Sequence, residues 1–136
     1  MSTERIEEII STLTKRQNEN RLNYYKPYKF QSNFHDTGSE ANQRLLMAAN
    51  RVGKSFVGAM EMSIHLTGLY PEWWTGKKYK EPIKAWVCGA SNETTRDICQ
   101  KELFGQPDNP RDKGHGSIPK HLIGETTRKP GVPNAH

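Results

Sequence analysis

Apolar positions recur at helical spacing near the N-terminus. Ile6, Ile9, Ile10 and Leu13 fall at i, i+3, i+4 and i+7, which predicts an amphipathic helix from residue 3 to about 17. Ser2 or Thr3 can cap it, and Glu4, Glu7 and Glu8 complement the positive end of its dipole. The stripe is narrow, so the helix is expected to pack against something in this chain or in a partner. Residues 24–35, YYKPYKFQSNFH, are aromatic and basic around Pro27. Proline disfavours helix at Lys26, so the segment reads as an extended loop leading into a short helix. Residues 36–42 are polar and read as a connection. RLLMAA at 44–49 is a short apolar run read as a buried strand, because Gly53, Lys54 and Ser55 follow directly. Phe56, Val57, Met60 and Ile64 then trace one helical face from Lys54 to about Leu66, and Gly68 stops it. IKAWVC at 83–88 reads as a second strand. Ser91 caps a further helix running to about Phe104, expected to bury Ile98, Cys99 and Leu103, with Gly105 as its stop.

The pattern breaks at Gly105. The last 32 residues hold five Gly and five Pro, and IPKHLI is their one apolar patch, which predicts loop or disorder. The chain therefore divides into an N-terminal helix and linker (1–23), a central domain (24–104) and a Gly/Pro-rich tail (105–136).

Composition narrows the classes. At 136 residues the chain has room for one ordinary domain. Ile, Leu, Val and Phe make up about 18% of it, a thin supply for a core. No apolar run approaches the length of a membrane span, and the charged N-terminus MSTERIEEII lacks the apolar stretch of a secretory signal. Cys88 and Cys99 form neither a disulfide framework nor a zinc spacing, which points to a reducing intracellular compartment. The net charge of +5 suits contact with nucleic acid, although the cations are spread along the chain. Lys77, Lys78 and Lys80 read equally well as a solvated loop.

The chemistry concentrates in Ala48-Ala49-Asn50-Arg51-Val52-Gly53-Lys54-Ser55. This matches the phosphate-binding template G-x-x-x-x-G-K-[ST] in all but its first glycine, where Ala48 stands. Such a loop turns successive backbone N–H groups toward phosphate oxygens at a helix N-terminus. Lys54 would take the phosphates and Ser55 the Mg²⁺. The ordinary reading is a strand-turn-helix corner with an exposed lysine. Upstream, Gln31 lies among Tyr28, Phe30 and Phe34. Its amide offers a donor and an acceptor to the edge of adenine, and a flat ring beside it can stack on the base. Arg96 reads as a solvent-facing partner of Glu93 or Asp97 rather than a trans-acting arginine, and His65 as a packed residue.

YYKPYKFQSNFH, LLMAANRVGKSFVGAMEMSIHLTGLYPEWW, AWVCGASNETTRDICQKELFG and GSIPKHLI together resemble the large terminase subunit of tailed bacteriophages, over roughly residues 24–124. The resemblance implies a motor that pumps double-stranded DNA into a capsid in the infected host cell's cytoplasm. Its partners would be a portal protein and a small terminase subunit, in a ring of identical copies. It implies ATP and Mg²⁺ as ligands. Tyr28, Gln31, Asn50, Arg51, Val52, Gly53, Lys54 and Ser55 would bind nucleotide; Arg51 and Lys54 would act on its terminal phosphates, and Ser55 would hold the metal. The implied fold is α/β: a partial P-loop NTPase, with a parallel sheet flanked by helices. The acidic motif that positions Mg²⁺ and the attacking water has no counterpart between Ser91 and His136, and the coupling and nuclease segments are absent. The chain is thus expected to bind MgATP weakly without turnover. Rival readings are a fragment of another helicase-like P-loop ATPase or kinase, and a non-catalytic interaction module.

Overall fold

The computed structural model describes residues 2–136. Its first helix, α1 (Thr3–Glu19), follows Ser2 and exposes the whole of its Ile6, Ile9, Ile10 and Leu13 stripe. A 3₁₀ turn, Arg21–Tyr24, sends Leu22 and Tyr25 into the interior. Pro27 then holds the chain extended, and α2 (Lys29–Asp36) begins where the Gln31 side chain turns back to accept the Tyr28 N–H at 2.9 Å. That bond satisfies a backbone donor at the helix start, and Pro27 lies ahead of the helix, where it breaks no helical hydrogen bond.

The central element is α3 (Lys54–Thr67), bounded by Gly53 and Gly68, both in the left-handed region. One of its faces packs Met60 and Ile64 against Leu22, Tyr25 and Trp74, with Phe56, Tyr70 and Trp73 at the rim. Its other face sets Ala59 against Leu103 and Ile118. The fourth helix, α4, is built from Asn92–Thr94, a π-helical stretch Thr95–Gln100, and Lys101–Phe104. The Ser91 hydroxyl caps it by accepting the Thr94 N–H at 3.1 Å.

The expected α/β architecture is corrected here: among the described residues there is no strand and no sheet, and the fold is helical with extended connections. A parallel strand exists through its neighbours, whose backbone groups it pairs with and whose helices cover both its faces. Neither 44–49 nor 83–88 meets such a neighbour. Leu45, Met47 and Trp86 are more than four-fifths exposed. Ile98, within the π-helical stretch, is also exposed; Leu103 is buried as expected and Cys99 half-buried.

The Gly/Pro-rich tail is irregular but anchored. Ser117 N–H donates to Glu102 O at 2.8 Å, Ile118 N–H to Leu103 O at 3.0 Å, and Gly114 N–H to Phe104 O at 2.7 Å. These bonds satisfy carbonyls that the end of α4 leaves without helical partners. The Ser117 hydroxyl meets that of Ser63 at 2.7 Å inside the core. Gly116 permits the approach, since a Cβ there would overlap the Leu103 carbonyl and the Phe104 nitrogen. Gly116→Ala is therefore expected to cost about 1–3 kcal/mol, as overpacking against fixed backbone does. Urea denaturation would read this as a lower midpoint at unchanged slope.

Candidate functional site

A cavity of about 1060 Å³ opens between the end of α1, the 3₁₀ turn, the start of α2 and the loop leading into α3. Four cations line it, Arg21, Lys26, Lys29 and Arg51, and no carboxylate does. Tyr24, Tyr28, Phe30 and Phe56 supply flat apolar surface, and Gln31 supplies an amide. Such a lining suits a ligand with a planar ring at one end and negative charge at the other.

Of the residues marked out in the sequence, the structure gathers Tyr28, Gln31, Arg51, Val52 and Gly53 around this cavity. Gly53 adopts φ +84, and a Cβ there would lie 3.4 Å from Gln31 Nε2, so the loop and the amide side chain sit in direct apposition. Arg51 holds φ +63, an unusual conformation for a residue with a side chain and a form of strain that collects at ligand loops. Asn50, Lys54 and Ser55 do not line the cavity. The Lys54 ammonium donates to Ala48 O and Ala49 O, each at 2.7 Å, across the loop. Ser55 faces a separate apolar groove with Trp86, Val87, Cys88 and Ile98. Arg96 pairs with Asp97 at 2.6 Å and also donates to Pro133 O at 3.0 Å. His65 packs among Tyr70, Trp74 and Tyr79.

Behind the cavity lies a polar cluster that the sequence reading missed. Glu61, on the buried face of α3, accepts from His35 Nδ1 at 2.7 Å and from the Arg44 guanidinium through both its terminal nitrogens. His65 Nε2 stands 3.6 Å from the same carboxylate. The far side of the His35 ring meets the Tyr25 hydroxyl at 3.0 Å. Arg44 also donates to Phe34 O at 2.6 Å and lies over the Phe34 ring, 4.5 Å from its centroid. Burial pushes the Glu61 carboxyl upward, but the hydrogen bonds from His35 and Arg44, with the His65 ring nearby, outweigh it and hold the group well below the usual carboxylate range. Burial, aided by the Glu61 charge, raises the Tyr25 phenol far above its ordinary value, keeping it neutral. One signal was available: Glu61 interrupts the apolar face of Val57, Met60 and Ile64, and a charge there requires a buried partner.

A family model described as terminase large subunit, T4likevirus-type, N-terminal, matches residues 45–136. The terminase large subunit of Salmonella phage P22 is 37% identical over 129 residues, covering 86% of this chain and 26% of that protein. The chain thus spans about a quarter of the length of that curated relative. No solved structure matches it.

Proposed function

The chain belongs to the terminase large-subunit family, and from that membership we propose that it is the N-terminal, ATP-binding part of a motor that drives double-stranded DNA into a phage capsid. The observation that carries the reading is the meeting of Gly53, at the head of the Gly53-Lys54-Ser55 motif, with Gln31 at a cation-lined, aromatic cavity. In this reading the purine lies against Tyr28 and Phe56 and is read by Gln31. The phosphates lie toward Arg51 and the start of α3, where backbone N–H groups and the helix dipole favour negative charge. Lys54 turns from the Ala48 and Ala49 carbonyls to the phosphates. Mg²⁺ would come with the triphosphate and neutralise part of its charge; Ser55 is the hydroxyl of the motif that would hold it, on turning from the neighbouring groove it faces here. Because no acidic pair follows an apolar run between Ser91 and His136, nucleotide binding rather than turnover is the contribution of these residues. A portal protein, a small terminase subunit, further copies in a ring, and the host cytoplasm complete the proposal. Among the described residues no helix is long and apolar enough to cross a membrane.

The test is thermal unfolding with and without excess MgATP, for the wild-type chain and for Lys54→Ala and Arg51→Ala. Ligand at about 100 times its dissociation constant stabilises by about 2.7 kcal/mol. The wild type should show that rise in Tm, Lys54→Ala should lose it, and Arg51→Ala should reduce it. A wild-type Tm indifferent to nucleotide overturns the reading. That outcome favours instead an interaction module docking through α1, whose Ile6, Ile9, Ile10 and Leu13 stripe is 42–57% exposed.

A further inference from the structure

Gln31 and His35 lie one turn apart on the same face of α2, and Gly53 and Glu61 lie about two turns apart along α3. The two helices meet at these residues. Gln31 Nε2 lies beside Gly53, 3.4 Å from where a Cβ would stand, and His35 Nδ1 is bonded to Glu61 at 2.7 Å. The bond at one end and the close approach at the other constrain the setting of one helix against the other. The remaining walls of the cavity are tied to the same place. The Tyr25 hydroxyl joins His35 from the 3₁₀ turn. Arg44 joins Glu61 at the start of the segment that delivers the loop.

The amide of Gln31 has little freedom of its own. Its Oε1 accepts the Tyr28 N–H, which orients the amide with its Nε2 on the side of Gly53. A single donor reads an acceptor on a base edge, such as a purine N7, only if α2 is set correctly against the loop. We propose that Glu61, acting through His35, is the positioning residue for base recognition: it sets the α2 amide against the α3 loop without touching the nucleotide. This rests on the ATP-binding reading above.

The test compares two ligands, MgATP and inorganic triphosphate with Mg²⁺, by isothermal titration on the full 136-residue chain. Glu61→Gln and His35→Gln should each weaken ATP binding about tenfold, roughly the worth of one well-placed hydrogen bond. Triphosphate binding should stay within about twofold, which also certifies that the variant is folded. Combining either change with Gln31→Ala should weaken ATP binding no further than Gln31→Ala alone, since all three remove one interaction. Parallel weakening of both ligands, an unchanged ATP affinity, or additive effects with Gln31→Ala would each overturn the proposal. If Glu61→Gln and His35→Gln do not fold, Tyr25→Phe removes one hydroxyl from the same chain of bonds and should show the same preference for harming ATP in weaker form; equal effects on both ligands overturn it. A wild type that binds triphosphate as tightly as ATP refutes base reading altogether. One that binds neither refutes the nucleotide site itself.

Discussion

Glu61→Ala should destabilise the chain by about 3–5 kcal/mol, the cost of breaking a buried ion pair by removing one partner. The carboxylate is 8% exposed and is the acceptor for His35, which is fully buried, and for Arg44. Without it the His35 ring loses its Nδ1 partner inside the protein, and the guanidinium keeps only the Phe34 carbonyl. Chemical denaturation at neutral pH would measure the loss. The same group predicts a pH dependence. Its pKa is depressed in the folded state relative to the ordinary 4.5, so the stabilisation is fully present above about pH 4.5. It declines as the pH falls below that value toward the lower folded pKa, because the unfolded chain takes up the proton first. Glu61→Gln should flatten this acid limb while leaving the other carboxylates to titrate. An unchanged limb in the variant would show that the acid sensitivity lies elsewhere.

Trp74→Ala should have an effect of similar size, about 3–5 kcal/mol. Trp74 is 3% exposed and its ring lies 5.0 Å from His35 and 5.5 Å from His65, with Tyr70 and Trp73 at 5.8 and 5.9 Å. Its indole N–H donates to Lys77 O at 3.0 Å, which anchors the turn after α3. Truncation would remove the flat wall behind the Glu61 cluster and admit water to it. Since small domains carry only about 5–15 kcal/mol in all, this is a large share of the total, and the expected result is a thermal midpoint lowered by about 10 °C or more. A loss under about 1 kcal/mol would mean that the aromatic cluster re-forms around the gap.

What could be read from the sequence divides along a physical line. Helices that announce themselves through capping and periodicity were legible: Lys54–Thr67 starts at Gly53 and stops at Gly68, and Ser91 caps the helix that ends at Gly105. RLLMAA and IKAWVC were misread because a strand is a property of pairing, and a short apolar run carries no information about whether a neighbour is there to pair with. The π turn at Thr95–Gln100 left no mark in residue type. Around the cavity, Gln31, Arg51 and Gly53 were visible because they lie within or just upstream of a motif. The Glu61 cluster was not, because it is assembled across 26 residues to His35 and 17 to Arg44. The docking of Gly116, Ser117 and Ile118 was hidden for a related reason: a Gly/Pro-rich segment reads as unstructured when its order comes from another element's free carbonyls.

The bonds from Lys54 to the carbonyls of Ala48 and Ala49 have one more consequence. They make the loop its own competitor. An anion that takes the ammonium must first strip it from two neutral dipoles, so the exchange is favourable only when the newcomer offers substantially more charge than they do. Those bonds are already charge-assisted from the lysine side, so a newcomer improves on them only by bringing a counter-charge of its own. A single weakly basic anion such as chloride gains little by displacing both carbonyls, whereas a polyphosphate that also engages Arg51 gains on several contacts at once. If the loop binds phosphate as proposed, it would discriminate by valence, favouring polyphosphates over monovalent anions without any steric gate.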